Sequence, residues 1–232
     1  MKKLITVCAV VLFLISIVLT STARAMTFGT VYLDNHNNNL SDVGTLYGDG
    51  YPGGITALTG VYSWTNEGGT DLGTQVPNWG FCIELPQGPY NGWVDVLSLQ
   101  DAPLPPLYGS PMGITKANAI RELWGRDFDT SWATGANRQM AEAFSAAIWE
   151  IVYETDSTWN VNSGAGFHVG SDVEQAATAN TWLGQLNGDT NHFANNLVAI
   201  STTNGQDYVV QVPEPTTVAL LGLGSLLFVR RK

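Results

Sequence analysis

An apolar segment stands at each end of the chain, bounded by basic residues, and this arrangement leaves only the middle to fold on its own. Lys2 and Lys3 precede a nearly unbroken apolar run from Leu4 to Leu19, and Ala23-Arg24-Ala25 follows with the small residues a signal peptidase needs. The pattern predicts a secretory signal over residues 1–25, with cleavage set by Ala23 and Ala25 and a mature start at Met26. At the other end, Val212-Pro213-Glu214-Pro215 leads through Thr216-Thr217 into the apolar stretch Val218 to Val229, closed by Arg230-Arg231-Lys232. Proline interrupts helices, so Pro213 and Pro215 separate the body from its tail. Val218, Leu220, Leu221, Leu223, Leu226, Leu227, Phe228 and Val229 predict a short transmembrane-like helix. Its length is about 18 Å at ~1.5 Å per residue, short of a ~30 Å hydrocarbon layer unless the threonines and snorkelling arginines extend it. Basic clusters favour the cytoplasmic side, so both ends are expected inside and the middle outside.

That middle, residues 26–211, is expected to be one globular domain. Its roughly 185 residues suffice for a core. A chain that is 44% hydrophobic with eight tryptophans is not disordered. Six of the ten basic residues lie in the terminal segments. Residues 26–229 keep only Lys116, Arg121, Arg126 and Arg138 against all 20 acids, a balance of −16. Such a surface repels phosphate backbones, which excludes a nucleic-acid partner. Cys8 leaves with the signal segment, so the mature chain keeps Cys82 alone and no internal disulfide can form. Packing must hold the domain together.

From Thr27 to Leu99 the pattern favours antiparallel strands: Thr27 to Leu33, Gly60 to Thr65, Trp79 to Leu85 and Gly92 to Leu99. Turns such as Tyr51-Pro52-Gly53-Gly54 separate them. Helices come next. Thr115 is expected to cap a helix through Trp124, with Gly125 as its stop. Met140, Ala143, Phe144, Ala147, Ile148 and Ile151 recur at three- and four-residue spacing and predict a helix from Gln139 to Tyr153 with one buried stripe. Ser171 and Glu174 suggest a capping box for a third helix reaching Leu186. Leu197 to Ser201, Asn204-Gly205 and Tyr208 to Gln211 read as a hairpin. Strands, then central helices, then a C-terminal hairpin give an α+β class, with the short membrane-like helix appended.

Pro213-Glu214-Pro215, the short apolar helix with Gly222 and Gly224, and the terminal Arg-Arg-Lys together resemble a PEP-CTERM sorting signal. The resemblance covers residues 212–232. It implies export, an inner-membrane intermediate, recognition of the Pro-Glu-Pro region by an exosortase, and removal of the tail. The setting it implies is the cell surface or extracellular matrix of a Gram-negative bacterium that makes exopolysaccharide, with biofilm as the context. Two further segments, Phe81-Cys82-Ile83-Glu84 and Ala147-Ile148-Trp149-Glu150, are similar to the paired motifs of bacterial thioester domains. There the thiol joins a glutamine side chain, and the resemblance would cast Cys82 as that thiol. The glutamine position is occupied here by Ser145, whose hydroxyl offers no acyl carbon, so only a remnant of that site is expected.

Other chemistry is thinly signalled. A nucleophilic Cys82 would need a base from His36, His168 or His192, all in Gly/Asn-rich stretches. Glu84, Glu150 and Glu154 are the first carboxylates to examine for a hydrolase. Asp34 to Asp42 offers hard oxygen ligands suited to Ca²⁺, without the spacing of an EF-hand, and no metal or other cofactor is expected. Tryptophans aligned on one face could stack on sugar rings. The sequence therefore predicts an exported, non-enzymatic surface or matrix protein, processed by signal peptidase and an exosortase and associated with exopolysaccharide. A thioester-type or carbohydrate-binding adhesin and a secreted hydrolase stand as alternatives.

Overall fold

The computed structural model describes residues 26–36, 41–48, 51–103, 110–155, 158–163, 166–170 and 175–213. The expected signal segment, the tail beyond Pro213 and the expected capping pair Ser171 and Glu174 lie outside the described residues, as does the helix expected over residues 218–229. Among the described residues no helix is long and apolar enough to cross a membrane.

The body is α+β. Among the described residues there are eight strands: β1 (Thr27–His36), β2 (Ser41–Gly48), β3 (Tyr51–Asp71), β4 (Trp79–Cys82), β5 (Gly92–Ser98), β6 (Phe167–Val169), β7 (Leu197–Ser201) and β8 (Tyr208–Gln211). Every pairing is antiparallel. The order β1-β5-β7-β8-β4-β3 closes on itself because β3 also pairs with β1, giving a six-stranded barrel. Closure removes the open edges that would otherwise invite pairing with another chain. The expected C-terminal hairpin is present, with Leu197 opposite Gln211, but it does not stand apart from the N-terminal strands. It is built between β5 and β4, so the two ends of the body share one sheet.

The longest strand departs most from expectation. Tyr51-Pro52-Gly53-Gly54, read as a turn, opens β3, and the two halves of this strand serve different partners. Residues 51–60 pair with β2, whereas Val61 to Ser63 face β4 in the barrel wall. Gly60 marks the handover with φ +109°, a conformation that a side chain resists. β2 and β6 extend the sheet beyond the barrel; neither carried a strand signal strong enough to be expected.

Helix α1 spans Gly113–Asp127, α2 Arg138–Tyr153 and α3 Ala176–Leu183. Thr115 does not cap α1; the helix begins two residues earlier, behind Met112. Gly125 does not end it either. Glycine is there for clearance: a Cβ at this position would lie 1.8 Å from the His192 carbonyl oxygen. The third helix is shorter than expected, and Leu186 sits in the turn beyond it.

α2 is the centre of the molecule, packed on β2, β3, β6 and α3. Its periodicity suggested a single buried stripe, yet every residue from Ala141 to Val152 is buried, whatever its polarity. Met140, placed in that stripe by spacing, is instead 37% exposed at the open first turn. A helix covered on all sides must satisfy Glu142, Ser145 and Glu150 internally, and this requirement shapes the surrounding loops.

Six of the tryptophans are core residues. Trp124, Phe128, Trp132, Phe144 and Trp182 form a chain of ring contacts with centroids 4.5 to 6.1 Å apart, and Trp79 and Phe81 join it from β4. Trp64 and Trp149 are buried elsewhere in the core. Trp93, 58% exposed, meets Tyr32 edge-on across the β1–β5 pair, and Trp159 is half-buried on a loop. The alternative in which tryptophans share one exposed face is thus not realised among the described residues.

Candidate functional site

Three places bring polar groups together, and they differ in how well those groups are satisfied.

The first surrounds Cys82 at the end of β4. The two segments singled out in the sequence do meet here. Tyr153, at the end of α2, accepts a hydrogen bond from the Leu85 amide at 2.9 Å and donates to the Ile83 carbonyl at 3.4 Å. The indole of Trp149 lies beside the Cys82 sulfur. The thiol is fully buried, donates to the Glu84 carbonyl at 2.9 Å and is approached by the Glu84 amide at 3.3 Å. Burial raises its pKa far above the ordinary thiol range, so it stays protonated and unreactive. Among the described side chains no histidine bears on it: His168 stacks on Tyr47 at 4.9 Å, and His192 stands 3.8 Å from Asp189. The Ser145 hydroxyl is buried in α2 and meets no hydrogen-bond partner. The side chain of His36 lies outside the described residues.

Glu84 is the strained member of this group. One oxygen accepts from Gln87 at 3.1 Å and the other, buried, meets no donor. Desolvation, reinforced by the nearby Asp207 carboxylate, pushes its pKa up to about 8. Asp207 fares better, accepting from the Ser201 hydroxyl and from the Thr202 amide at 2.9 Å.

The second place is a cleft of about 380 Å³ between α1 and two loops, lined by Ile114, Thr115, Asn118, Glu122, Trp159 and Phe193 among others. Buried glutamates hold both walls. Glu122, on α1, accepts from Arg126 at 2.8 Å and from the amides of Gly188 at 2.8 Å and Asn187 at 3.3 Å. Burial opposes its charge, but these donors outweigh burial and hold its pKa below the usual carboxylate range. Glu150, on α2, accepts from the Asn160 amide at 2.6 Å and so fixes the loop that carries Trp159. Asn180 of α3 ties the same loop, accepting from the Val161 amide at 2.9 Å and donating to the Asn160 side chain at 3.0 Å. The Ala194 amide reaches back to the Arg121 carbonyl at 2.9 Å, securing the wall that carries Phe193.

The other carboxylates named from the sequence also serve backbone. Glu154 accepts from the amides of Thr155 at 2.6 Å and Gly166 at 3.2 Å. Lys116 caps the end of α2 through the carbonyls of Val152 and Glu154 at 2.7 and 2.9 Å. Its burial lowers its pKa, against the pull of Glu154 and Glu150. In the expected Ca²⁺ loop, Asp34 accepts from Asn91 at 3.1 Å; residues 37–40 lie outside the described residues. Among the described residues no three His, Cys, Asp or Glu gather as metal ligands would.

The sequence did not single out Glu122, Asn118, Trp159 or Phe193. The spacing of Glu122 and Arg126, one turn apart, was a readable sign of an ion pair. Nothing local announced that the same carboxylate would reach amides 65 and 66 residues away.

The third place is the exit of the chain. The Val212 amide donates to the Asn196 carbonyl at 3.1 Å, and Val212 is buried. Gln211 is clamped between the Trp124 indole, which donates to it at 3.1 Å, and the Asn195 carbonyl at 3.3 Å. Pro213 is exposed. Among the described residues the last buried one is thus Val212, immediately before Pro-Glu-Pro.

Residues 211–232 match the model of the PEP-CTERM protein-sorting motif, so the match begins on the last residue of β8. No curated protein and no solved structure matches the chain. The motif indicates an exported protein that passes through a membrane-associated sorting step and is processed by an exosortase. Nothing in these comparisons supports the thioester-domain resemblance.

Proposed function

We propose that the chain is a non-enzymatic component of the surface or extracellular matrix of a Gram-negative bacterium, its barrel delivered outside and associated with exopolysaccharide. In this reading signal peptidase removes residues 1–25 at Ala23-Arg24-Ala25. The apolar stretch of residues 218–229 and the basic stop Arg230-Arg231-Lys232 hold an inner-membrane intermediate, and the exosortase acts at Pro213-Glu214-Pro215. The observation that carries it is the sorting motif running without a linker out of β8.

The non-enzymatic part draws support from how the buried carboxylates are used. Glycoside hydrolysis needs an acid and a second carboxylate facing a shared gap. Glu122 gives its lone pairs to Arg126 and two amides, and Glu150 and Glu154 each accept from loop amides. The Cys82 thiol is sealed and protonated, a poor nucleophile.

Fractionation of cells with and without the exosortase, followed by sequencing of the mature termini, tests the reading. The surface form is expected to start at Met26 and to lack the apolar tail only when the exosortase is present. A surface form that keeps residues 216–232, or a cytosolic one that keeps both Met1 and Lys232, overturns it.

A further inference from the structure

We propose that the cleft between α1 and the Trp159 and Phe193 loops binds an uncharged hexose unit of a polysaccharide. The proposal deepens the matrix reading by naming a site and a ligand class, and its test reads sugar binding independently of sorting.

Size is the first argument. At about 380 Å³ the cleft lies at the small end of the ~300–1,000 Å³ typical of ligand sites, suited to a short saccharide. Its two-sided chemistry is the second. Trp159 and Phe193, with Ile114 and Leu186, supply apolar and aromatic surface for the C–H face of a pyranose. Around them stand neutral hydrogen-bonding groups. Arg121 donates to the Asn118 Oδ1 at 2.8 Å, which fixes that amide and leaves its Nδ2 free to donate. The hydroxyls of Thr115 and Thr190 line the same cleft and make no hydrogen bond among the described residues.

Charge selects further. Among the described residues the only acidic side chain lining the cleft is Glu122, neutralised by Arg126 and turned toward the Asn187 and Gly188 amides. Among the described residues lining the cleft there is no Lys or Arg to recognise a uronate or phosphate, and a chain at −16 over residues 26–229 disfavours either. Rigidity is the last argument. Because Glu122 and Glu150 hold the walls from inside, ligand binding need not order the loops, which favours a site formed in advance.

Affinity electrophoresis of the full chain in mild detergent, through gels containing dextran, mannan or galactan and through alginate as an acidic control, tests the site. We expect retardation by at least one neutral polymer. Trp159→Ala and Asn118→Ala should each weaken it about tenfold, the scale of one lost contact of ~1.4 kcal/mol. Thr115→Tyr, which crowds the mouth from an exposed position, should do the same without unfolding, as checked by its melting curve. Trp93→Ala, at a residue that does not line the cleft, should change nothing. Retardation that survives Trp159→Ala and Thr115→Tyr, retention by alginate alone, or none by any neutral polymer overturns the proposal. Any of these would leave the sorting result untouched, since that is read from the termini.

Discussion

Glu84 and Glu122 are buried to the same degree, 2% and 1% exposed, yet their carboxyls are driven in opposite directions. Glu122 receives a guanidinium and two backbone amides, and it stays charged. Glu84 receives one side-chain amide and faces another carboxylate, and it takes up a proton near neutral pH. Burial alone does not decide the charge of a carboxylate; the supply of donors does. The cleft end of the molecule is well supplied and holds its loops firmly. The Cys82 end is under-supplied and holds a proton instead.

Removing Glu122 should be the largest perturbation. Glu122→Ala strands Arg126 and two loop amides, and is expected to cost about 3 kcal/mol in urea unfolding, as broken buried pairs do. Hydrogen exchange at Gly188 should quicken. An unchanged midpoint would show that the Asn187–Gly188 wall does not depend on this carboxylate.

Glu84→Gln should act with the opposite sign and a smaller size. The folded-state pKa of Glu84 is raised to about 8, so between ~4.3 and that value the unfolded chain binds fewer protons than the folded one. Stability must therefore fall as pH rises through this window. The amide variant is expected to gain stability over the native chain increasingly as pH rises toward 8, and to gain nothing at pH 4. Glu122, whose pKa is depressed, stabilises above its unfolded value and loses that contribution as pH falls through the folded one. Together the two groups place the stability maximum on the mildly acidic side, and thermal melts across pH locate it.

A finer test concerns the neighbour of Glu84. Asp207→Asn removes the charge that reinforces desolvation, so an NMR titration should find the Glu84 carboxyl below about 8 but still raised. No movement would mean that burial alone sets it. The smallest effect belongs to Met140→Ala. At an exposed first turn it should stay within ~0.5 kcal/mol, whereas Ile148→Ala in the same helix should cost at least ~2 kcal/mol.

Legibility followed the range of the interaction. The spacing from Ala143 to Ile151 revealed α2, and Asn204-Gly205 revealed the hairpin, because both signals are local. Met140 fitted the same spacing and was misplaced, since periodicity gives a face but not what covers each turn. Tyr51-Pro52-Gly53-Gly54 has turn composition and still opens a strand: Tyr51 pairs with Gly48, and the register shifts before Ile55 meets Leu46, with Gly54 at φ +77° within the irregularity. Of the cleft, the ion pair of Glu122 and Arg126 was readable; the loops it fixes were not.

The sorting motif at the C-terminal end was legible in the sequence alone, because it is a short segment of proline, apolarity and charge. Barrel closure, the opposite fates of Glu84 and Glu122, and the cleft beside Trp159 were decided only by the tertiary structure. Each depends on a partner distant in sequence, a strand in the barrel or an amide at a buried carboxylate, and that pairing is fixed when the chain packs.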